Sequence, residues 1–137
     1  MNSFTGRISS ISTSGAVSRV GVDVGGSVLS AVVLETPGTA SYLRTGSTIV
    51  CLFKETEVGL ARDLSGPVSY GNRIDGTVES VEEGVLFTRI RLDWAGGKVT
   101  ALIGTAEAAV MAVKGGDRLT ALVNPAGISL MVPDNDA

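Results

Sequence analysis

The side chains that most often perform enzyme chemistry are scarce in this sequence. Among its 137 residues there is no histidine and one cysteine, Cys51. A histidine-based catalytic triad, a histidine metal site and a zinc finger are therefore excluded. One cysteine cannot form an intramolecular disulfide, and its apolar neighbours place it in the core. No base and nucleophile can be paired, so we expect the chain not to be an enzyme.

Two other sets of residues invite a chemical interpretation. The pairs Gly25-Gly26 and Gly96-Gly97 have the composition of phosphate-binding loops, but no helix is expected after either pair, so we expect both to close hairpins. Arg19 and Arg89 are either anion ligands or strand-surface residues. We expect the second, with each arginine bonding the aspartate four positions further along the chain.

The charge balance limits the partners. Eleven basic residues against fourteen acidic ones give a net charge of −3, the wrong sign for a general nucleic-acid binder. The longest apolar runs, such as residues 31–34, are far shorter than a membrane span, and there is no basic-then-apolar leader. We expect a cytoplasmic protein with no membrane partner and no direct nucleic-acid binding.

An internal repeat supplies the elements that must position any site. A shift of 70 positions aligns residues 2–62 with residues 72–132 without a gap, and apolar positions stay in register. Identical residues in this register include Asn2/Asn72, Gly6/Gly76, Ser10/Ser80, Arg19/Arg89, Asp23/Asp93, Ala31/Ala101 and Leu52/Leu122. We interpret the chain as a duplication of a unit of about 70 residues.

Each half is expected to contain five short strands, because β-branched residues alternate with polar ones between glycine-rich turns. The expected strands are residues 6–12, 19–24, 28–34, 48–53 and 57–61, then 74–81, 87–94, 98–104, 118–123 and 128–132. A short helix is expected between the third and fourth strands of each half, at 37–43 and 106–113. The second of these segments has the better helical composition.

This pattern predicts an all-β fold of two tandem five-stranded β-barrels of the oligonucleotide/oligosaccharide-binding (OB) type, each with one short helix. The predicted domains are residues 1–64 and 72–137, joined by a linker at 65–71. A barrel this small buries only about 60% of its unfolded surface. We therefore expect the barrels to pack together and to oligomerise, with the end strands at 58–61 or 128–132 pairing across subunits.

The order of these motifs resembles the molybdate-binding Mop domain, a TOBE-type domain found in molbindins. The resemblance is carried by residues 76–81 (GTVESV), 95–101 (AGGKVTA) and 116–122 (GDRLTAL), with counterparts in the first half. It covers nearly the whole chain, as in tandem molbindins and the effector part of molybdate-responsive regulators. It implies molybdate or tungstate as the bound ligand, no cofactor, and a homo-oligomer, with a trimer favoured and a dimer possible.

In this family one anion-binding segment is a Ser-x-Arg-Asn run before the first strand. Carried over to this sequence, it falls on Ser69, Tyr70, Gly71 and Asn72, with Gly71 standing where the family has arginine. Ser69 offers a hydroxyl, Asn72 an amide, and the backbone N–H groups near Tyr70 and Gly71 are further donors.

The family's second segment is a lysine followed by small or hydroxyl residues, just before the fifth strand. It falls on Lys54, Glu55 and Thr56, where the lysine supplies charge and the threonine a hydroxyl. We expect the Glu55 side chain to point away and its backbone N–H to face the anion. In the second half the segment becomes residues 124–126, which lack the lysine, and Pro125 lacks a backbone donor.

Three functions remain open from the sequence. The first is non-catalytic storage of the oxyanion, with Lys54 and Ser69 contributed by different subunits. The second is an effector or oligomerisation module of a molybdate-responsive transcription regulator or transporter. The third is a barrel assembly module with a decayed anion site.

Overall fold

The computed structural model describes residues 1–134 and consists of two five-stranded antiparallel sheets. The strands of the first half are β1 (Asn2–Ser14), β2 (Val17–Val24), β3 (Ser27–Val33), β4 (Thr48–Phe53) and β5 (Gly59–Ala61). Those of the second half are β6 (Asn72–Glu83), β7 (Phe87–Trp94), β8 (Gly97–Gly104), β9 (Arg118–Val123) and β10 (Ser129–Met131). The predicted all-β fold with two five-stranded units is confirmed.

The two halves exchange their last strands. The sheet orders are β10-β4-β1-β2-β3 and β5-β9-β6-β7-β8, so β10 completes the first sheet and β5 completes the second. β10 also lies against β3, and β5 against β8, so each sheet curls towards closure. The expectation that each half supplies its own fifth strand is wrong, and so is pairing across subunits, because the exchange occurs within one chain. Each sheet therefore draws residues from both predicted domains.

The first strand of each half is long enough to serve two neighbours. β1 pairs with β4 through residues 2–7 and with β2 through residues 7–14, with a bulge between Ile8 and Ser10. β6 has an equivalent bulge between Val78 and Ser80. A Cβ on Gly6 would lie 2.2 Å from the Asp23 carbonyl oxygen. Only glycine therefore permits the close strand crossing that bends the sheet.

One α-helix, α1 (Thr105–Met111), is present in residues 1–134, in the second half. Its alanine-rich sequence favours helix, and it ends at Ala112, whose φ of 50° is left-handed. The helix expected at 37–43 is absent. This segment forms turns instead, because Pro37 and Gly38 both disfavour helix. Each half also contains a 3₁₀ turn, at Glu55–Glu57 and at Pro125–Gly127.

A single hydrophobic core runs through both halves. At their boundary the rings of Phe4 and Trp94 meet edge to face, with centroids 5.1 Å apart. The side chain of Asn2 exchanges two 2.8 Å hydrogen bonds with the backbone of Thr100. Asn72 makes the equivalent pair with Ser30. The two asparagine contacts are related by interchange of the halves, as a pseudo-two-fold axis requires.

The thiol of Cys51 should be unreactive in the native protein. Cys51 is fully buried on β4, and this burial raises its pKa to about 11, from 9.0 in an exposed thiol. The raised pKa favours the neutral thiol in the folded state. The stability that comes from burying Cys51 as a neutral thiol is thus complete below about pH 9 and is lost as the pH rises towards about 11.

We expect Ellman's reagent at pH 8 to modify Cys51 only after unfolding in guanidinium chloride. The thiolate fraction in the native state is on the order of one in a thousand at this pH, and the side chain is inaccessible. Rapid, stoichiometric reaction of Cys51 with the reagent in the absence of denaturant would contradict its buried position on β4.

Candidate functional site

The predicted segment Lys54–Thr56 forms the start of the first 3₁₀ turn, directly after β4. Lys54 is the N-cap residue, in extended conformation with φ −72° and ψ 149°. Its carbonyl accepts a 3.0 Å hydrogen bond from the N–H of Glu57. Lys54 and Thr56 are exposed, and within residues 1–134 no carboxylate lies within 4 Å of the lysine ammonium. Both side chains are thus available to a ligand.

Glu55 is already engaged in ion pairs. Its Oε1 accepts a 3.0 Å hydrogen bond from Nε of Arg89, and its Oε2 lies 3.3 Å from the Met1 nitrogen. Glu82 also approaches Arg89, at 3.4 Å. The hydrogen bond from Arg89 lowers the pKa of the Glu55 carboxyl, against the opposing effect of partial burial. We call this cluster of Met1, Glu55, Glu82 and Arg89 the Arg89 corner.

Ser69, Tyr70 and Gly71 form the exposed end of the linker before β6. A Cβ on Gly71 would lie 2.4 Å from Cγ of Pro125 and 3.1 Å from Nη2 of Arg19. An arginine at this position, as the resemblance implies for the family, cannot be accommodated unless the proline ring moves. We call this cluster of Ser69, Gly71, Pro125 and Arg19 the Arg19 corner.

Asn72 has a different environment from the one predicted for an anion ligand. Its side chain is buried, with 3% exposed. Its amide nitrogen donates to the carbonyl oxygens of Ser30 and Val123, at 2.9 and 3.2 Å. Its amide oxygen accepts from the N–H of Ser30 at 2.7 Å. Both amide protons are therefore used to join β6 to β3 and β9, and none remains for an anion.

The structure places the two predicted segments at different corners. Lys54–Thr56 adjoins the Arg89 corner, and residues 69–71 belong to the Arg19 corner. No hydrogen bond or ion pair among residues 1–134 joins the two segments. Their meeting across subunits stays a prediction.

Arg19, which lies beside Gly71, is a candidate site residue that sequence reasoning assigned to the strand surface. Arg89, its equivalent in the other half, is held by Glu55 and Glu82. The predicted pairing with Asp23 and Asp93 is wrong: Asp23 accepts from the N–H of Gly26 at 2.9 Å, and Asp93 pairs with Lys98. The repeat contained a usable signal, because both arginines recur in register, while Glu55 and Glu82 are replaced by Pro125 and Ser12 at the equivalent positions.

A groove lies between the two 3₁₀ turns, close to the pseudo-two-fold axis. It has a volume of about 300 Å³, and Lys54 and Glu57 line it on one side and Gly127 and Ser129 on the other. The turns approach closely here, since Oε2 of Glu57 would lie 3.1 Å from a Cβ on Gly127. The groove thus combines one cation, one carboxylate and one hydroxyl.

Residues 1–134 contain neither a cluster suited to a metal ion nor a helix suited to a membrane. No group of three or more cysteine, aspartate or glutamate side chains in this range is arranged to hold a metal ion. No helix in it has the length and apolarity needed to cross a bilayer. The Arg19 corner offers a guanidinium, the Ser69 hydroxyl and backbone N–H groups, which suit an anion. At the Arg89 corner two carboxylates already contact the guanidinium.

Comparison with known proteins agrees with this chemistry. The TOBE domain model matches residues 69–130. The chain superposes with a TM-score of 0.89 on a crystal structure of the cytoplasmic molybdate-binding protein ModG with molybdate bound. The two are 29% identical, and the match covers 96% of each chain.

A second relative is the molybdenum transport protein ModE of Herbaspirillum seropedicae. It is 34% identical over 98 residues, which are 70% of this chain and 36% of ModE. The matched region thus spans about a third of the length of that relative.

Proposed function

Because the chain belongs to the tandem Mop/TOBE, molbindin-like domain family, we propose that it binds molybdate or tungstate as an intact oxyanion. The proposed role is storage and homeostasis in the cytoplasm, with no catalytic step. The observation that carries the proposal is the likeness to molybdate-bound ModG over both halves of the chain. The proposed cytoplasmic location rests on the same likeness, because ModG is a cytoplasmic molybdate-binding protein.

The exposed donors support this function. A tetrahedral dianion that is released unchanged needs hydrogen-bond donors and limited positive charge, not a nucleophile. Lys54 offers charge, and Thr56 and Ser69 offer hydroxyls, all three exposed. We propose that a homo-oligomer, a trimer in preference to a dimer, brings Lys54 of one subunit to Ser69 and Gly71 of another.

Isothermal titration calorimetry with sodium molybdate, tungstate and sulfate tests the proposal. We expect micromolar or tighter binding of molybdate, and weaker binding by Lys54→Ala and Ser69→Ala. A hydrogen bond to a charged group contributes roughly 1.5–3 kcal/mol, so each variant should lose about 10- to 100-fold in affinity.

Lys114→Ala is the matched control, because Lys114 is an exposed lysine on the loop before β9 and should bind as the wild type does. Mass measurement in the same buffer gives the oligomeric state. No heat from molybdate up to millimolar concentration would contradict the proposal and favour a barrel assembly module with a decayed site. Unchanged affinity in both binding variants would place the site elsewhere.

The match to ModE favours a second candidate, an effector or oligomerisation module of a molybdate-responsive regulator or transporter. The chain spans only part of ModE, so such a module would act on other segments or chains. In that role, anion binding must change the conformation. Small-angle X-ray scattering with and without saturating molybdate distinguishes the two: a changed profile supports the effector role, and an unchanged profile supports storage.

A further inference from the structure

The two corners occupy equivalent places in the repeat but differ in charge. Positions 19 and 89 correspond, as do 55 and 125, and 12 and 82. At the Arg89 corner the guanidinium contacts the carboxylates of Glu55 and Glu82, at 3.0 and 3.4 Å. The protein's own carboxylates therefore already pair with the Arg89 guanidinium, in the position that an external oxyanion would need.

The Arg19 corner has lost both carboxylates. The residue equivalent to Glu55 is Pro125, and the residue equivalent to Glu82 is Ser12. Within residues 1–134 no carboxylate lies within 4 Å of the Arg19 guanidinium. The repeat thus presents the same cation twice, once neutralised and once open to an external anion.

The position of Arg19 also compensates for a missing side chain. The family has an arginine where this chain has Gly71, and Pro125 fills the space that its side chain would need. Arg19 reaches the same point from β2 of the other half, with Nη2 3.1 Å from the position of a Gly71 Cβ. A guanidinium is thus restored beside the Ser69–Gly71 segment, although a different strand supplies it.

We propose that Arg19 is the main cationic ligand for a molybdate-class oxyanion at the Arg19 corner. The oxyanion takes the place that the Glu55 carboxylate fills at the Arg89 corner. The planar fork of a guanidinium matches two oxygens of a tetrahedral oxyanion. The inference rests on the proposed function and adds to it. The chain then has one open corner and one that its own carboxylate closes, rather than two equal sites.

Calorimetry with sodium molybdate on four full-length proteins tests this assignment: wild type, Arg19→Ala, Arg89→Ala and Pro125→Glu. Arg19→Ala should weaken molybdate binding by at least about tenfold, because a charge-assisted contact is lost. Arg89→Ala, the matched control in the other half, should stay within about twofold of the wild type. Unfolding midpoints in urea without anion check that all four proteins are folded.

Pro125→Glu should close the open corner by providing the carboxylate that Glu55 provides opposite. The two 3₁₀ turns have similar N-cap backbones, with φ −72° and ψ 149° at Lys54 and φ −71° and ψ 132° at Asn124, so glutamate fits the turn. We expect a loss of affinity like that of Arg19→Ala. Combining the two changes should add little, because both remove the same interaction.

The outcomes separate this inference from the proposed function. If the wild type gives no heat with molybdate, the proposed function itself fails. If the wild type binds and Arg19→Ala binds equally well, only the assignment of Arg19 is overturned. Equal losses from Arg19→Ala and Arg89→Ala would also overturn it, because the effect would then reflect general charge and not the open corner.

Discussion

Replacing Asn72 with alanine is expected to lower the free energy of unfolding by roughly 2–4 kcal/mol. The Asn72 amide makes hydrogen bonds to both backbone groups of Ser30 and to the carbonyl of Val123, in a site where 3% of its side chain is exposed. Alanine would leave the part-buried N–H and carbonyl of Ser30 and the buried carbonyl of Val123 without this partner. An unsatisfied buried group costs about 1–3 kcal/mol. Urea denaturation followed by circular dichroism measures the effect.

Two further variants make the result specific. Asn2→Ala removes the pseudo-symmetric contact with Thr100 and should have a comparable cost. Asn124→Ala is the matched control: Asn124 is exposed and its side chain accepts one hydrogen bond, from the N–H of Ala126. Loss of such a cap costs about 1 kcal/mol. If Asn72→Ala costs no more than Asn124→Ala, the amide bridge does not hold the halves together.

The same variant separates the two roles considered for Asn72. A residue that only binds an anion should leave the stability of the anion-free protein unchanged and lower the affinity alone. A residue that joins β6 to β3 should lower stability before any ligand is added. We expect the second pattern, because both amide protons already have backbone acceptors.

The strands were the most predictable part of the fold. The strands predicted at residues 48–53 and 118–123 coincide with β4 and β9, since their apolar residues lie between clear turn signals. The prediction of residues 6–12 fell short of β1, which spans Asn2–Ser14. The missing residues at each end are mostly polar. Their pairing depends on long-range partners that local alternation does not reveal.

The strand exchange could not be read from the sequence. β5 and β10 are equivalent positions of the repeat, at residues 59–61 and 129–131. Either strand would therefore present a similar pattern of side chains to β4 or to β9. A register signal specifies which face of a strand is buried, but it does not choose between two copies of the same strand. That choice depends on the path of the chain after each 3₁₀ turn.

The two candidate segments could be proposed from the sequence, but the contacts of their side chains could not. The resemblance to the Mop family pointed to the segments Lys54–Thr56 and Ser69–Gly71, and the structure shows that Lys54, Thr56 and residues 69–71 are exposed. The sequence did not show that Glu55 pairs with Arg89 or that Pro125 lies against Gly71, because both contacts join segments distant in the chain. The buried role of Asn72 was missed for the same reason, since its partners lie on β3 and β9.

A second large effect is expected from Ile128→Ala, because Ile128 anchors the exchanged strand. Its side chain is 2% exposed, and it directly precedes β10, whose Leu130 lies opposite Cys51 on β4. Truncating a buried isoleucine to alanine costs about 2–5 kcal/mol. Since β10 belongs to the second half of the chain but completes the first sheet, the loss of stability should affect both halves.

Two probes, one in each half, test that coupling during urea denaturation. Reactivity of Cys51 reports on the first half and fluorescence of Trp94 on the second. We expect the two transitions to coincide in the wild type and to shift together in Ile128→Ala, because one core and two exchanged strands join the halves. Val132→Ala, at a position that is 56% exposed, should leave both midpoints unchanged. Separate transitions, with only one half shifted by Ile128→Ala, would mean that the halves unfold independently and that the exchange does not link their stability.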